Sequence, residues 1–200
     1  MSERPAFTAR GSQWLAWIGG GLMLASAVLI TCDVVARNLF ASTIFESFEL
    51  STYALAATVS FGFAFALTTK AHVRIEVLYI LAPAGVRRVL DLLAILSLAA
   101  VAFALTWFGI QTVAESLTLG ARSNSALAVP LVIPQGIWLA GLIWFLITTT
   151  WLAGRTIVLL ARGHFDAVER EVGIVSLEEE IEASTEAHQR GSDAQRAEAR

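Results

Sequence analysis

Charge is scarce in this chain. Of its 200 residues, 16% are Asp, Glu, Lys or Arg, while 56% are hydrophobic. A soluble domain of ordinary composition carries about a quarter charged residues. Mean hydropathy is clearly positive. An apolar excess of that size is more than one buried core absorbs, and it needs lipid as a solvent. The formal net charge is −3. No basic patch is interleaved with aromatics, which argues against nucleic acid as a partner.

Cysteine and histidine are also scarce. The single cysteine, Cys32, makes neither an internal disulfide nor a Cys-rich metal site. In its apolar run it reads as a small packing hydrophobe. The three histidines are His72, His164 and His188, and none lies in a long apolar run. A four-helix membrane anchor that binds haem needs axial ligands, usually His, inside its bundle, so the cytochrome reading is disfavoured. There is no HExxH, no P-loop, no GxSxG and no paired-carboxylate centre. No catalytic, metal-binding or cofactor-binding residue is therefore assigned, and the chain is not expected to be an enzyme. Nor is there an inverted internal repeat of the kind that builds a transport path.

What is present is a set of long uncharged runs. They extend from Trp14 to Cys32, Leu50 to Thr69, Leu92 to Ala114 and Ser123 to Gly154. A helix needs about 20 apolar residues to cross the hydrocarbon core. Barrel strands would alternate over about 10 residues instead. Backbone polar groups in lipid must be bonded internally, so each run is predicted to be a helix. The expected fold is all-α and integral to a membrane, with four transmembrane helices at about 14–37, 47–70, 86–115 and 134–161. Pro134 suits the first turn of the last helix, where its missing N–H would be unpaired anyway. Ser123-Asn124-Ser125 reads as the loop before it.

The first run resembles a signal peptide in part, with Arg4 and Arg10 ahead of it and Ala25-Ser26-Ala27 as a possible cut. The apolar stretch continues past that point through Val28-Leu29-Ile30, so an uncleaved helix is expected. The three-part organisation is then a cytoplasmic segment (1–13), a membrane domain (14–163) and an acidic cytoplasmic tail (164–200). In the tail, Ser176 and Glu179 are spaced as a capping box. A short helix from Leu177 to about His188 is expected there, and the rest has the composition of a disordered segment.

Orientation follows from the cations. With the N-terminus inside, Arg4, Arg10, Lys70, Arg74, Arg87, Arg88, Arg155 and Arg162 fall on the cytoplasmic side, against Arg37 and Arg122 outside. Both termini are expected to be cytoplasmic. Trp14, Trp17, Trp138 and Trp151 fall near the expected interfaces, where such rings are favoured. The segment from His72 to Pro83 is too short and too charged to span. It is expected to form an amphipathic interfacial helix between helices two and three.

Several residues stand out against the apolar background. Asp33 and Arg37 are spaced i, i+4 in the favourable order, where helix one leaves the membrane. Glu46 and Glu49 follow at the start of helix two, so Arg37 is placed to bridge to either helix. Glu115 and Arg122 flank the outer end of helix three. Asp91 reads as a helix-start acid, favoured by the dipole. Gly21 and Ala25, Gly62 and Ala66, and Gly136 and Ala140 are spaced for close helix contacts in lipid, within the bundle or against another protein.

The stretch Asp33-Val34-Val35-Ala36-Arg37-Asn38-Leu39-Phe40, followed by Glu49-Leu50-Ser51-Thr52-Tyr53, resembles the first hairpin of the small membrane subunit of tripartite ATP-independent periplasmic (TRAP) transporters. Lys70-Ala71-His72-Val73-Arg74-Ile75-Glu76 is similar to that subunit's cytoplasmic joint. Ser125-Ala126-Leu127-Ala128-Val129-Pro130, with Pro134 before helix four, is similar to its last loop. The resemblance runs from about Trp14 to Gly163 and does not reach the tail.

It implies partners. In such systems a periplasmic binding protein captures an organic anion. A large membrane subunit carries it across by an elevator-type motion, usually driven by a sodium gradient. The small subunit widens the static scaffold of the large one and contributes to docking the binding protein. The resemblance therefore implies an inner-membrane symport component for a dicarboxylate or other organic acid. Candidate partner-interface or structural residues are Asp33, Arg37, Glu49, Lys70, His72, Arg74 and Glu76. Arg87 and Arg88 are candidates for lipid headgroups. A redox-enzyme anchor and a stand-alone four-helix structural protein are the alternatives.

Overall fold

The computed structural model describes residues 6–40, 46–69 and 83–163. They form four helices: α1 (Ala6–Phe40), α2 (Ser47–Thr68), α3 (Ala84–Leu119) and α4 (Val132–Ala161). All four are long and apolar enough to cross a membrane. Among the described residues there is no strand beyond an isolated bridge between Arg122 and Pro130. The segment expected to lie along the interface and the acidic tail fall outside the described residues.

The helix ends follow local chemistry. α1 begins at Ala6, ahead of the expected start, because nothing between there and Trp14 breaks a helix. α3 begins after Pro83, whose carbonyl accepts the Val86 and Arg87 amides at 2.8 and 3.1 Å. It ends at Gly120, which adopts the left-handed conformation at φ 58°. There the Gly120 amide bonds the Leu117 carbonyl and the Ala121 amide bonds that of Ser116, the Schellman pattern that a glycine permits without steric cost. α4 starts two residues before Pro134, at Val132. Pro134 still lies in the first turn, where it displaces no hydrogen bond.

Spatial order differs from chain order. α1 packs on α2, α2 on α4, and α4 on α3. The two flanking helices are the long ones. At 1.5 Å per residue, the 35 residues of α1 and the 36 of α3 each extend for about 50 Å, against a hydrocarbon core of about 30 Å. Cross-contacts give the directions. Thr58 meets Gly19 and Ser47 meets Asp33, so α1 and α2 are antiparallel. Phe63 packs against Phe145 with ring centroids 5.4 Å apart and the rings tilted. Ser60 approaches Gly141, so α2 and α4 run the same way. α1 therefore starts at the same end of the bundle at which α4 finishes.

The core sits where α2, α3 and α4 meet, around Ala64, Leu67, Ile95, Ala102, Phe145 and Ala153. The closest approach uses a missing side chain: a Cβ on Gly141 would lie 2.7 Å from Ser60 Cβ and 2.9 Å from Phe61 Cδ1. A Cβ on Gly19 would meet the Thr58 backbone at 3.2 Å. The glycines of the small-residue pairs behave differently. A Cβ on Gly21, Gly62 or Gly136 would meet nothing within 4 Å. The close contacts inside the chain thus fall on glycines other than those the spacing selected.

The outward faces are apolar. Trp14, Trp17, Leu24, Val28, Val34 and Val35 are exposed on α1, and Val89, Leu93, Phe103, Trp107, Phe108 and Leu117 on α3. A water-soluble monomer does not leave contiguous apolar surface of this extent bare.

Candidate functional site

The interior of the bundle offers no polar path among the described residues. Its buried hydroxyls turn back onto helix backbone. Ser60 bonds Ala57 O at 2.9 Å, Thr149 bonds Phe145 O at 2.7 Å and Thr156 bonds Leu152 O at 2.9 Å. Such back-bonds satisfy a hydroxyl in an apolar setting without a second helix. A few also reach across. Thr58 Oγ1 donates to Gly19 O at 2.9 Å, Thr106 Oγ1 to Leu142 O at 3.2 Å, and Trp144 Nε1 to Ser12 Oγ at 3.1 Å. Among the described residues no group of three or more His, Cys, Asp or Glu could hold a metal ion.

The polar chemistry gathers at the end of the bundle where α1 finishes and α2 begins. Asp33 is buried, with 1% exposure. Its Oδ2 accepts from Arg37 Nη2 at 2.8 Å and from Ser47 Oγ at 2.9 Å. The Arg37 side chain remains 61% exposed. The expectation placed the hairpin bridge on Arg37. In the structure the acid makes the bridge, through Ser47, and the arginine pairs within its own helix. The reason is reach: the i, i+4 spacing brings the guanidinium onto Asp33 along one helix face, while Asp33 points toward the N-terminus of α2.

A second polar contact lies in the same first turn of α2, two residues on. The Glu49 carboxylate accepts from the Tyr53 hydroxyl on its own helix and from the Ser125 hydroxyl on the α3–α4 loop. Ser123 Oγ lies 3.0 Å from Ser125 Oγ. The loop is itself folded back. Ser123 N bonds Val129 O at 2.9 Å, Leu131 N bonds Ala121 O at 3.0 Å, and Arg122 Nη1 donates to Ala128 O at 3.1 Å. Ala128 takes a left-handed conformation, φ 44°, which a non-glycine residue adopts only where its surroundings hold it. Glu49 thus ties the first hairpin to the second.

Asp33, Arg37 and Glu49 come together at one end of the molecule. Glu115 and Arg122, read as possible partners of each other or of Asp33 and Arg37, form no ion pair among the described residues; Arg122 serves the loop backbone. Arg87 and Arg88 sit half-buried in the first turns of α3, and Asp91 is buried one turn on. Lys70, His72, Arg74 and Glu76 lie outside the described residues. Cys32 is exposed on the outward side of α1. Sequence reasoning missed Ser47 as the partner of Asp33 and Ser125 as the partner of Glu49. The available signal was hydroxyls clustered near carboxylates at helix ends.

No curated protein matches the chain. It does match the family described as "Tripartite ATP-independent periplasmic transporters, DctQ component", over residues 26–162. That stretch holds the end of α1, all of α2 to α4 and both polar contacts, and the family consists of transporter components rather than enzymes. Partnership with a large membrane subunit and a binding protein follows from the family. With four membrane-length apolar helices and a family match across most of its length, this chain belongs to the DctQ family, the small multi-pass membrane components of TRAP transporters.

Proposed function

We propose that this chain is the static partner of the large transport subunit, widening its scaffold in the bacterial inner membrane while the large subunit carries the substrate. The observation that carries the reading is the contrast between surface and interior. The flanking helices α1 and α3 present long apolar outward faces, whereas the buried hydroxyls are spent on helix backbone. Substrate and coupling-ion sites in transporters use broken helices and polar groups near the midplane. α1 to α4 are unbroken through their spans, which favours a supporting role.

By family analogy the cargo is an organic acid, delivered by a periplasmic binding protein and driven by an ion gradient, sodium being the usual one. The distribution of arginines supports cytoplasmic termini, a membrane domain over 14–163 and a cytoplasmic tail from 164 onward. In that orientation Asp33, Arg37 and Glu49 lie on the periplasmic side, and Arg37 is available to a partner. Lys70, His72, Arg74 and Glu76 would lie on the cytoplasmic side, where Arg87 and Arg88 meet anionic headgroups.

The test is affinity purification of the tagged chain from its native membranes in mild detergent. Stoichiometric recovery of a much larger polytopic membrane protein is expected, and loss of organic-acid uptake when the chain is deleted. Recovery of a redox enzyme, or of no partner, would overturn the reading.

A further inference from the structure

The contact at Glu49 has a direction built into it. A serine or tyrosine hydroxyl has one hydrogen to give. The Tyr53 hydrogen goes to Glu49 Oε1 and the Ser125 hydrogen to Oε2. In the 3.0 Å contact between Ser123 and Ser125, the donor is therefore Ser123. Behind the hydroxyls stand backbone amides: Leu127 N donates to Ser125 Oγ at 3.3 Å and Val129 N to Ser123 Oγ at 3.1 Å. Every hydrogen in the chain points toward the carboxylate, and the arrangement closes only if that carboxylate carries none.

A proton on Oε2 has to be donated to Ser125. The Ser125 hydrogen then turns away from the carboxylate, toward Ser123. A proton on Oε1 does the same to Tyr53. Either way a charge-assisted pair of bonds is exchanged for neutral ones, roughly half as strong.

We propose that Glu49 is a proton-operated clasp, which when ionised fixes the 120–131 loop on the start of α2 and when protonated releases it. The inference goes beyond the transporter reading and holds whichever side of the membrane the loop faces. Glu49 bridges residues 76 positions apart in the chain. Release therefore loosens the first hairpin from the loop that joins α3 to α4, the loop held partly by the strained Ala128. The surrounding charges are few. At the start of α2 they are Glu46, just before the helix, and Tyr53. On α1, Asp33 and Arg37 are paired with each other. On the loop, Arg122 is bonded to Ala128 O. Glu115 lies near the end of α3, and α4 carries no charge before Arg155. Residues 41–45 carry none either. No cation is bonded to the Glu49 carboxylate among the described residues, so hydroxyls alone hold its charge.

The experiment is amide hydrogen exchange on the full chain in lipid nanodiscs, corrected for the intrinsic pH dependence of exchange, at about pH 8 and about pH 2.5, on either side of the usual Glu range. Peptides covering 120–131 are expected to lose about tenfold in protection at the acid end, in line with losing a charge-assisted bond. Peptides within α4 serve as the internal reference and are expected to hold. Glu49→Gln, whose carboxamide brings its own hydrogens, should show the loosened loop at both pH values. Ser125→Ala should show it without altering Glu49 itself. Loop protection that ignores pH, or Glu49→Gln indistinguishable from the parent, would overturn the clasp. So would a loss spread equally through α4, because the device is then not local.

Discussion

The α2–α4 seam and the end of the bundle near Asp33 and Glu49 are held by different physics. At the seam the two helices approach through Gly141 against Ser60 and Phe61, and contact area at short range does the holding. In lipid there is no hydrophobic force between helices, so close packing of small residues is what association relies on. At the polar end, buried or half-buried carboxylates reach across helices to hydroxyls. The seam therefore tolerates loss of a hydroxyl and not gain of a methyl group. The polar end tolerates added bulk at exposed positions and not loss of an acid.

That contrast can be broken most forcefully at the seam. Gly141→Leu places side-chain atoms where Ser60 Cβ already lies within 2.7 Å of the first new carbon. The expected cost is about 3 kcal/mol, the upper part of the range for overpacking, read as a lowered midpoint in detergent-mediated unfolding. A cost under about 1 kcal/mol would mean that α2 and α4 separate easily, and the seam would lose its place in the account. Asp33→Ala comes next. It removes the acceptor of the buried Ser47 and the partner of Arg37, and about 2 kcal/mol is expected from stranding a buried donor. Thr58→Val, which deletes the bond to Gly19 O, should cost about 0.6 kcal/mol, the average for such bonds in membranes.

The smallest effect sharpens the comparison. Arg37→Ala should cost the isolated chain about 0.5 kcal/mol, since the guanidinium is largely exposed and the buried Asp33 keeps its bond to Ser47. If Arg37 faces a partner, the same variant lowers the yield of the complex while leaving the unfolding midpoint of the isolated chain in place. Equal losses from Asp33→Ala and Arg37→Ala would show that the ion pair, and not the Asp33–Ser47 bond, closes the hairpin.

The helices were legible because lipid leaves one solution for a long uncharged run. Their ends were less so. Ala6 to Gln13 lacks the apolar density that marks a span, yet nothing in it stops a helix already under way. The packing order was not legible at all, since hydropathy says how much of a helix avoids water and not which helix it meets. Gly141 and Gly19 carry the close approaches while Gly21, Gly62 and Gly136 face open space, though all share the same kind of neighbourhood in sequence. Asp33, Arg37 and Glu49 could be singled out because charge at a membrane edge is costly. Ser47 and Ser125 stood out less, because a serine at a helix start or in a loop has many ordinary uses.

The central claim is that the apolar outward faces of α1 and α3 are where the large subunit and lipid are met, while the α2–α4 seam is closed. Site-specific photo-crosslinking in native membranes tests it most directly, with the probe placed in turn at Val28, Leu93 and Phe103 on the outward faces and at Leu67 on the inside. The account predicts adducts with a large polytopic membrane protein from one or more of the outward positions and none from Leu67. Adducts from Leu67 with the outward positions silent would contradict it.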